Sequence, residues 1–228
     1  MHNFTEKLFL IKEQNENFAA FTRKIACDTK SEVIGVKIPK IRKLAKSLPY
    51  DKDLYSSFFN EQHRYLEEKL LHGFLIAKFE KDQEIYCLLE DFLPLADSWI
   101  ITDTVAPTLK KLSKNKPELL NHVKKWLTSS EVYTVRFAIV ILLDYFSSDD
   151  DLPETLALTL SVKSENYYIN MAIAWLYSVI LVKNYDVMIN VLKNKTLPSF
   201  IQNKTISKAT DSLRISKEKK EYLKTLKI

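Results

Sequence analysis

The sequence predicts an all-α protein, a solenoid of short helix pairs stacked side by side. Three observations lead there: glycine is nearly absent, apolar residues recur at helical spacing, and the chain repeats itself every 34 residues. Only Gly35 and Gly73 occur in 228 residues. Hairpins, phosphate loops and dinucleotide-binding turns need glycine for positive φ or close backbone approach, so two glycines cannot supply them.

The repeat shows in the second half. SSEVYTVRFAIV from Ser129 aligns with KSENYYINMAIA from Lys163, sharing Ser-Glu-x-Tyr and Ala-Ile at the same places, at an offset of 34. Stepping back by the same 34 places Trp99 under Tyr133, and Tyr65 under Trp99. Four aromatics, Tyr65, Trp99, Tyr133 and Tyr167, therefore mark one position in successive units.

Each element follows from its own residues. The N-terminal third carries helical patterns near 3–13, 16–26 and 38–48. Apolar residues then fall three and four apart in YLEEKLLHGFLIAKF, VYTVRFAIVILLDYF and YYINMAIAWLYSVIL, each predicting a helix. Between them DQEIYCLLEDFLPLA, KPELLNHVKKWL and LPETLALTL read as second, amphipathic helices. Pro117 and Pro153 stand in first turns, where the missing N–H removes no helical bond. A helix pair too small to bury its apolar face must stack on the next, and stacked pairs curve into a concave surface. Tetratricopeptide repeats share the period, but their Trp-x-x-Leu-Gly pattern is missing, so HEAT-like pairs fit better. The reading is one domain over 1–228, with an irregular N-terminal cap over 1–58, repeats over about 59–197 and a basic cap over 198–228.

Charge is unevenly placed. Residues 1–50 hold ten Lys/Arg against five acids, residues 193–228 ten against three, and residues 51–192 fourteen against twenty-one. Basic ends around an acidic waist suit a few phosphate contacts better than a continuous duplex track, and solvated surface charge explains them equally well. No run reaches the roughly 18 apolar residues of a membrane span. The N-terminus has acids on both sides of a short apolar run and is not a signal peptide. Cys27 and Cys87 lie far apart, which reads as a cytoplasmic protein with free thiols. The histidines, His2, His63, His72 and His122, show no ligand spacing, and no nucleophile sits beside a base by pattern. No cofactor and no metal are expected.

The repeat also aligns candidate site residues. Trp99 and Asp103 are four apart, one turn along a helix face. Arg136 shifted back by 34 falls at 102, and Trp175 shifted back by two periods falls at 107. Trp99, Asp103, Arg136 and Trp175 thus map to one stripe of equivalent helices. The same residues would equally serve as inter-helix packing and as an ion pair between repeats.

These stretches resemble a known family. ADSWIITDTVAPTL is similar to the Trp-x-x-x-Asp motif of AlkD-like, HEAT-repeat DNA alkylation repair glycosylases. VIGVKIPKIRKLAK resembles their Gly-Val-(Arg/Lys)-x-Pro-x-(Leu/Ile)-Arg signature, YTVRFAIV their arginine helix and NMAIAWLYS the helix of their second tryptophan. The matches run in order from about residue 34 to 176. The resemblance implies a divergent member that binds double-stranded DNA, alkylated or not, weakly and as a monomer on its concave face, and that excises cationic N3- or N7-alkylpurines. It implies that Asp103 is catalytic, stabilising an oxocarbenium-like sugar, that Trp99 and Trp175 hold the lesion, and that Arg136 holds a backbone phosphate. Two departures stand out. Ile100 and Ile101, read as exposed, sit beside Asp103, and CDTKSEV is too short for the helix with which the family probes the minor groove. A catalytically silent DNA binder and a protein-interaction scaffold are the alternative functions.

Overall fold

The computed structural model describes residues 3–26 and 28–228. Met1, His2 and Cys27 lie outside the described residues, so the readings of His2 as a non-ligand and Cys27 as a free thiol are not addressed by it. The fold is all-α, as the sequence predicts: 14 α-helices with short 3-10 turns, and no strand among the described residues. An isolated bridge pairs Glu32 with Tyr65. No helix among these residues is long and apolar enough to cross a membrane. The chain divides into two compact units, Met1–Asn115 and Lys116–Ile228.

The first unit holds α1 (Phe4–Leu10), α2 (Glu16–Ala26), α3 (Ile38–Ser47), α4 (Lys52–Phe59), α5 (Leu66–Ile76), α6 (Asp82–Phe92) and α7 (Trp99–Val105). Helices α3, α5 and α7 pack as a row, and α6 backs α5. Every residue of α5 except Lys69 is buried, as befits the middle of a row. Gly73 lets α7 close on it: a Cβ there would lie 2.4 Å from Val105 Cγ2 and 3.1 Å from Phe92 Cζ.

The second unit holds α8 (Lys116–Leu127), α9 (Val132–Tyr145), α10 (Leu152–Ser161), α11 (Tyr167–Lys183), α12 (Tyr185–Lys193), α13 (Ser199–Asp211) and α14 (Lys217–Thr225). Here α9, α11 and α13 form the row, with α8 against α9 and α12 against α11. Residues 198–228, read from sequence as a basic cap, carry two regular helices, α13 and α14. The four repeat aromatics all stand at helix starts: Tyr65 caps α5, Trp99 and Tyr167 open α7 and α11, and Tyr133 is the second residue of α9.

Buried polar groups in the first unit are tied to the backbone. Glu67, 1% exposed, accepts from the N–H groups of Ile34 (3.0 Å), Gly35 (2.8 Å) and Val36 (3.1 Å). Its neighbour Glu68 accepts from the N–H groups of Arg64 and Tyr65, both at 2.8 Å, closing the start of α5 as a capping box. Asp97 accepts from Thr29, from the N–H of Lys30 and from Ser31, and pairs with Lys69 at 3.0 Å. That fixes residues 29–31 as a tight turn.

His63 Nε2 and His72 Nδ1 lie 2.8 Å apart, one donating and the other accepting. The His72 ring stacks on Phe59 at 4.0 Å and meets Phe92 at 4.9 Å. Burial, reinforced by His63, holds its pKa down to about 2, and burial lowers His63 too. The unfolded chain therefore takes up protons that the folded state refuses, so stability should be full above pH 6.5 and fall steadily as the pH drops towards 2. Urea midpoints at descending pH should show this, and His72→Gln should flatten the slope. An equal slope in that variant would remove His72 as the cause.

Candidate functional site

The first unit supplies an indole and a carboxylate. Ser98, fully buried, caps α7 by accepting from the Ile100 N–H at 3.2 Å, which sets Trp99 as the first helical residue. Trp99 is half-buried, and its Nε1 donates to the Ile25 carbonyl at the end of α2 (2.9 Å). Asp103 follows one turn later, also half-buried. Thr102 Oγ1 lies 3.0 Å from Asp103 Oδ1 and 3.2 Å from the Trp99 carbonyl, so its one proton steadies both ends of this turn.

Ile100 and Ile101, read from the sequence as exposed neighbours of Asp103, are 5% and 0% exposed. The reason is helical rotation of about 100° per residue: with positions 99 and 103 on the open face, 100 and 101 turn towards the packed row. Beside Trp99 opens an apolar cleft of about 340 Å³, walled by Phe18, Phe21, Ile38, Pro39 and Leu70, with Glu67 and Lys37 at its margin.

The second unit supplies the other two residues, on adjacent helices. Arg136 on α9 is 6% exposed, and its Nη1 donates to the Tyr168 carbonyl of α11 at 2.7 Å. Trp175, two turns further along α11, is half-buried and edges a polar cleft of about 420 Å³ with Ser178, Lys183, Lys208, Asp211 and Arg214. This cleft carries three cations against one acid, so it favours anions, and α13 with the residues after it provides half of its wall. Lys183 is steadied by donating to Ser147 Oγ at 2.7 Å.

Among the described residues no group of three or more His, Cys, Asp or Glu is placed to hold a metal ion. Cys87 is an exposed free thiol on α6. Sequence reasoning missed the Glu67 and Asp97 anchors and the cations around the second cleft. Lys208 and Arg214 were visible only as part of a basic tail, and no local pattern ties them to Trp175.

A helical-repeat protein carrying an indole–carboxylate pair in one unit and an arginine and a second indole in the other is thereby defined. A family model described as DNA alkylation repair enzyme matches residues 9–202, and the chain belongs to that family. Membership assigns it a role in DNA repair and DNA as its partner. The search of curated proteins returned no match.

Proposed function

We propose that the protein is a DNA glycosylase of the alkylation repair class: it binds double-stranded DNA on a concave face of HEAT-like repeats and hydrolyses the N-glycosidic bond of cationic N3- or N7-alkylpurines. The observation that carries this reading is Asp103, half-buried and one helical turn from Trp99, whose indole lines the apolar cleft. Departure of an alkylpurine leaves positive charge on the deoxyribose, and a fixed carboxylate stabilises that charge and orients the attacking water. The base is already cationic and leaves as a neutral molecule, so the reaction calls for no strong general acid and no metal. Trp99 in the first unit and Trp175 in the second are each proposed as an indole contact to the DNA. Arg136, held by the Tyr168 carbonyl, is the proposed phosphate contact in the second unit.

The test is release of N7-methylguanine and N3-methyladenine from duplex DNA with the protein in excess. Release above the spontaneous rate is expected, and a rate equal to the spontaneous one ends the reading. A catalytically silent DNA binder is the second reading, favoured by the turn at residues 29–31, which Asp97 ties down where a DNA-probing helix would have to stand. Binding that weakens with salt, without base release, would select it.

A further inference from the structure

Helix α3 is the most one-sidedly charged element of the first unit. Between Glu32 and Asp51 the chain has no acid, yet it carries Lys37, Lys40, Arg42, Lys43 and Lys46. Lys37 and Lys40 share one carboxylate, Glu13, at 3.4 and 2.9 Å. Among the described residues Arg42 and Lys46 have no carboxylate within ion-pair distance. They stand one turn apart and edge a cavity of about 490 Å³ that Lys78, Phe74, Pro107 and Thr108 complete.

None of the residues lining this cavity is acidic. The Arg42 guanidinium lies 5.4 Å from the Phe74 ring centre, and its Nη2 donates to the Thr104 carbonyl at 3.3 Å, so it is oriented before any ligand arrives. Lys78, half-buried, also lines the cavity and donates to the carbonyls of Ala45 and Leu48, which holds its charge at the C-terminal end of α3. Burial pulls its pKa below the ordinary lysine value, as it does for an ammonium with no anion beside it. Three cations and no acid make an anion site, while the Thr108 hydroxyl at its edge donates to the Val105 carbonyl at 2.6 Å.

Its position says which anion. Pro107 and Thr108 stand in the 3-10 turn (Ala106–Leu109) that directly continues α7, four and five residues beyond Asp103, so the cavity opens roughly 6–8 Å further along the chain's helical path. That is the reach from a deoxyribose to a neighbouring phosphate of its own strand. We infer that the cavity bounded by Arg42, Lys46, Lys78 and Thr108 docks a backbone phosphate flanking the nucleotide whose sugar faces Asp103. The inference rests on the proposed DNA-binding reading and adds the registration of the strand to it. The phosphate fixes where along the strand the carboxylate acts.

Binding isotherms of the full chain with a labelled duplex, taken across a salt series, test it. Each phosphate contact contributes about 0.9 to the slope of log affinity against log salt. Removing one contact therefore shrinks the affinity ratio between about 50 and 200 mM salt by roughly 3- to 4-fold. R42Q/K46Q should show that loss with an unchanged circular dichroism spectrum, Lys46→Gln alone part of it, and Arg42→Lys little. A duplex with one neutral methylphosphonate beside an N7-methylguanine should bind the parent chain as weakly as the intact duplex binds R42Q/K46Q, and the double variant should not sense the replacement. Equal slopes for parent and double variant, or independent penalties from variant and methylphosphonate, overturn the phosphate site while the DNA reading stands. No binding by the parent chain at low salt overturns both.

Discussion

With Asp103 replaced by Asn, the single-turnover release of N7-methylguanine should fall by about 10²- to 10³-fold, the loss expected when one preorganised charge-stabilising group is removed. That factor corresponds to roughly 2.7–4 kcal/mol of transition-state stabilisation. Asn keeps the shape and an oxygen able to accept from Thr102, so the turn from Trp99 to Asp103 survives and the thermal midpoint should not move. DNA affinity should stay the same or rise slightly, because a negative charge near phosphates has been removed. The separation of the two readouts is what assigns the role. A carboxylate that only supported the helix would lose stability and rate together. An Asn variant that still releases base at the parent rate would exclude Asp103 as the charge-stabilising group.

The sequence made the helices legible where their register repeats. The period of 34 located the starts of α5, α7, α9 and α11 through Tyr65, Trp99, Tyr133 and Tyr167, because each unit places the same residue at the same turn. Helix α4 went unread: eight residues show too little periodicity, although Asp51 caps it and Tyr55 and Phe58 bury its inner face. The pair Trp99 and Asp103 was legible for a local reason, since a spacing of four on a helix is a contact by geometry. The exposure assigned to Ile100 and Ile101 failed because the sequence does not say which face of a short helix meets the next helix in the row. The anchors were hidden for a different reason. Asp97 reaches back to Thr29, Lys30 and Ser31, and Glu67 to Ile34, Gly35 and Val36, so their partners are set by the fold and not by neighbours in sequence.

Glu67 is the anchor whose loss should be felt most. Its side chain ends among three backbone N–H groups of one loop, and Glu67→Ala would leave all three without an acceptor in a buried place. At about 1–3 kcal/mol for each orphaned donor, the first unit should lose at least about 3 kcal/mol. For a chain of this size that lowers the thermal midpoint by roughly 6–12 °C. The loop has little freedom to find another arrangement. Gly35 sits at φ +95°, which L side chains rarely adopt, and a Cβ there would press on Ala19 Cβ at 3.0 Å. Glu67→Gln should fall between parent and Ala: its oxygen can still accept from Gly35 and Val36, while its amide would point a donor at the Ile34 N–H. Because Val36, Lys37 and Ile38 wall the cleft beside Trp99, base release should decline in step with the melting temperature along this series. A Glu67→Ala protein that melts with the parent would show that the loop is held by its apolar contacts alone. Loss of activity at full stability would instead move Glu67 from the scaffold into the chemistry of the cleft.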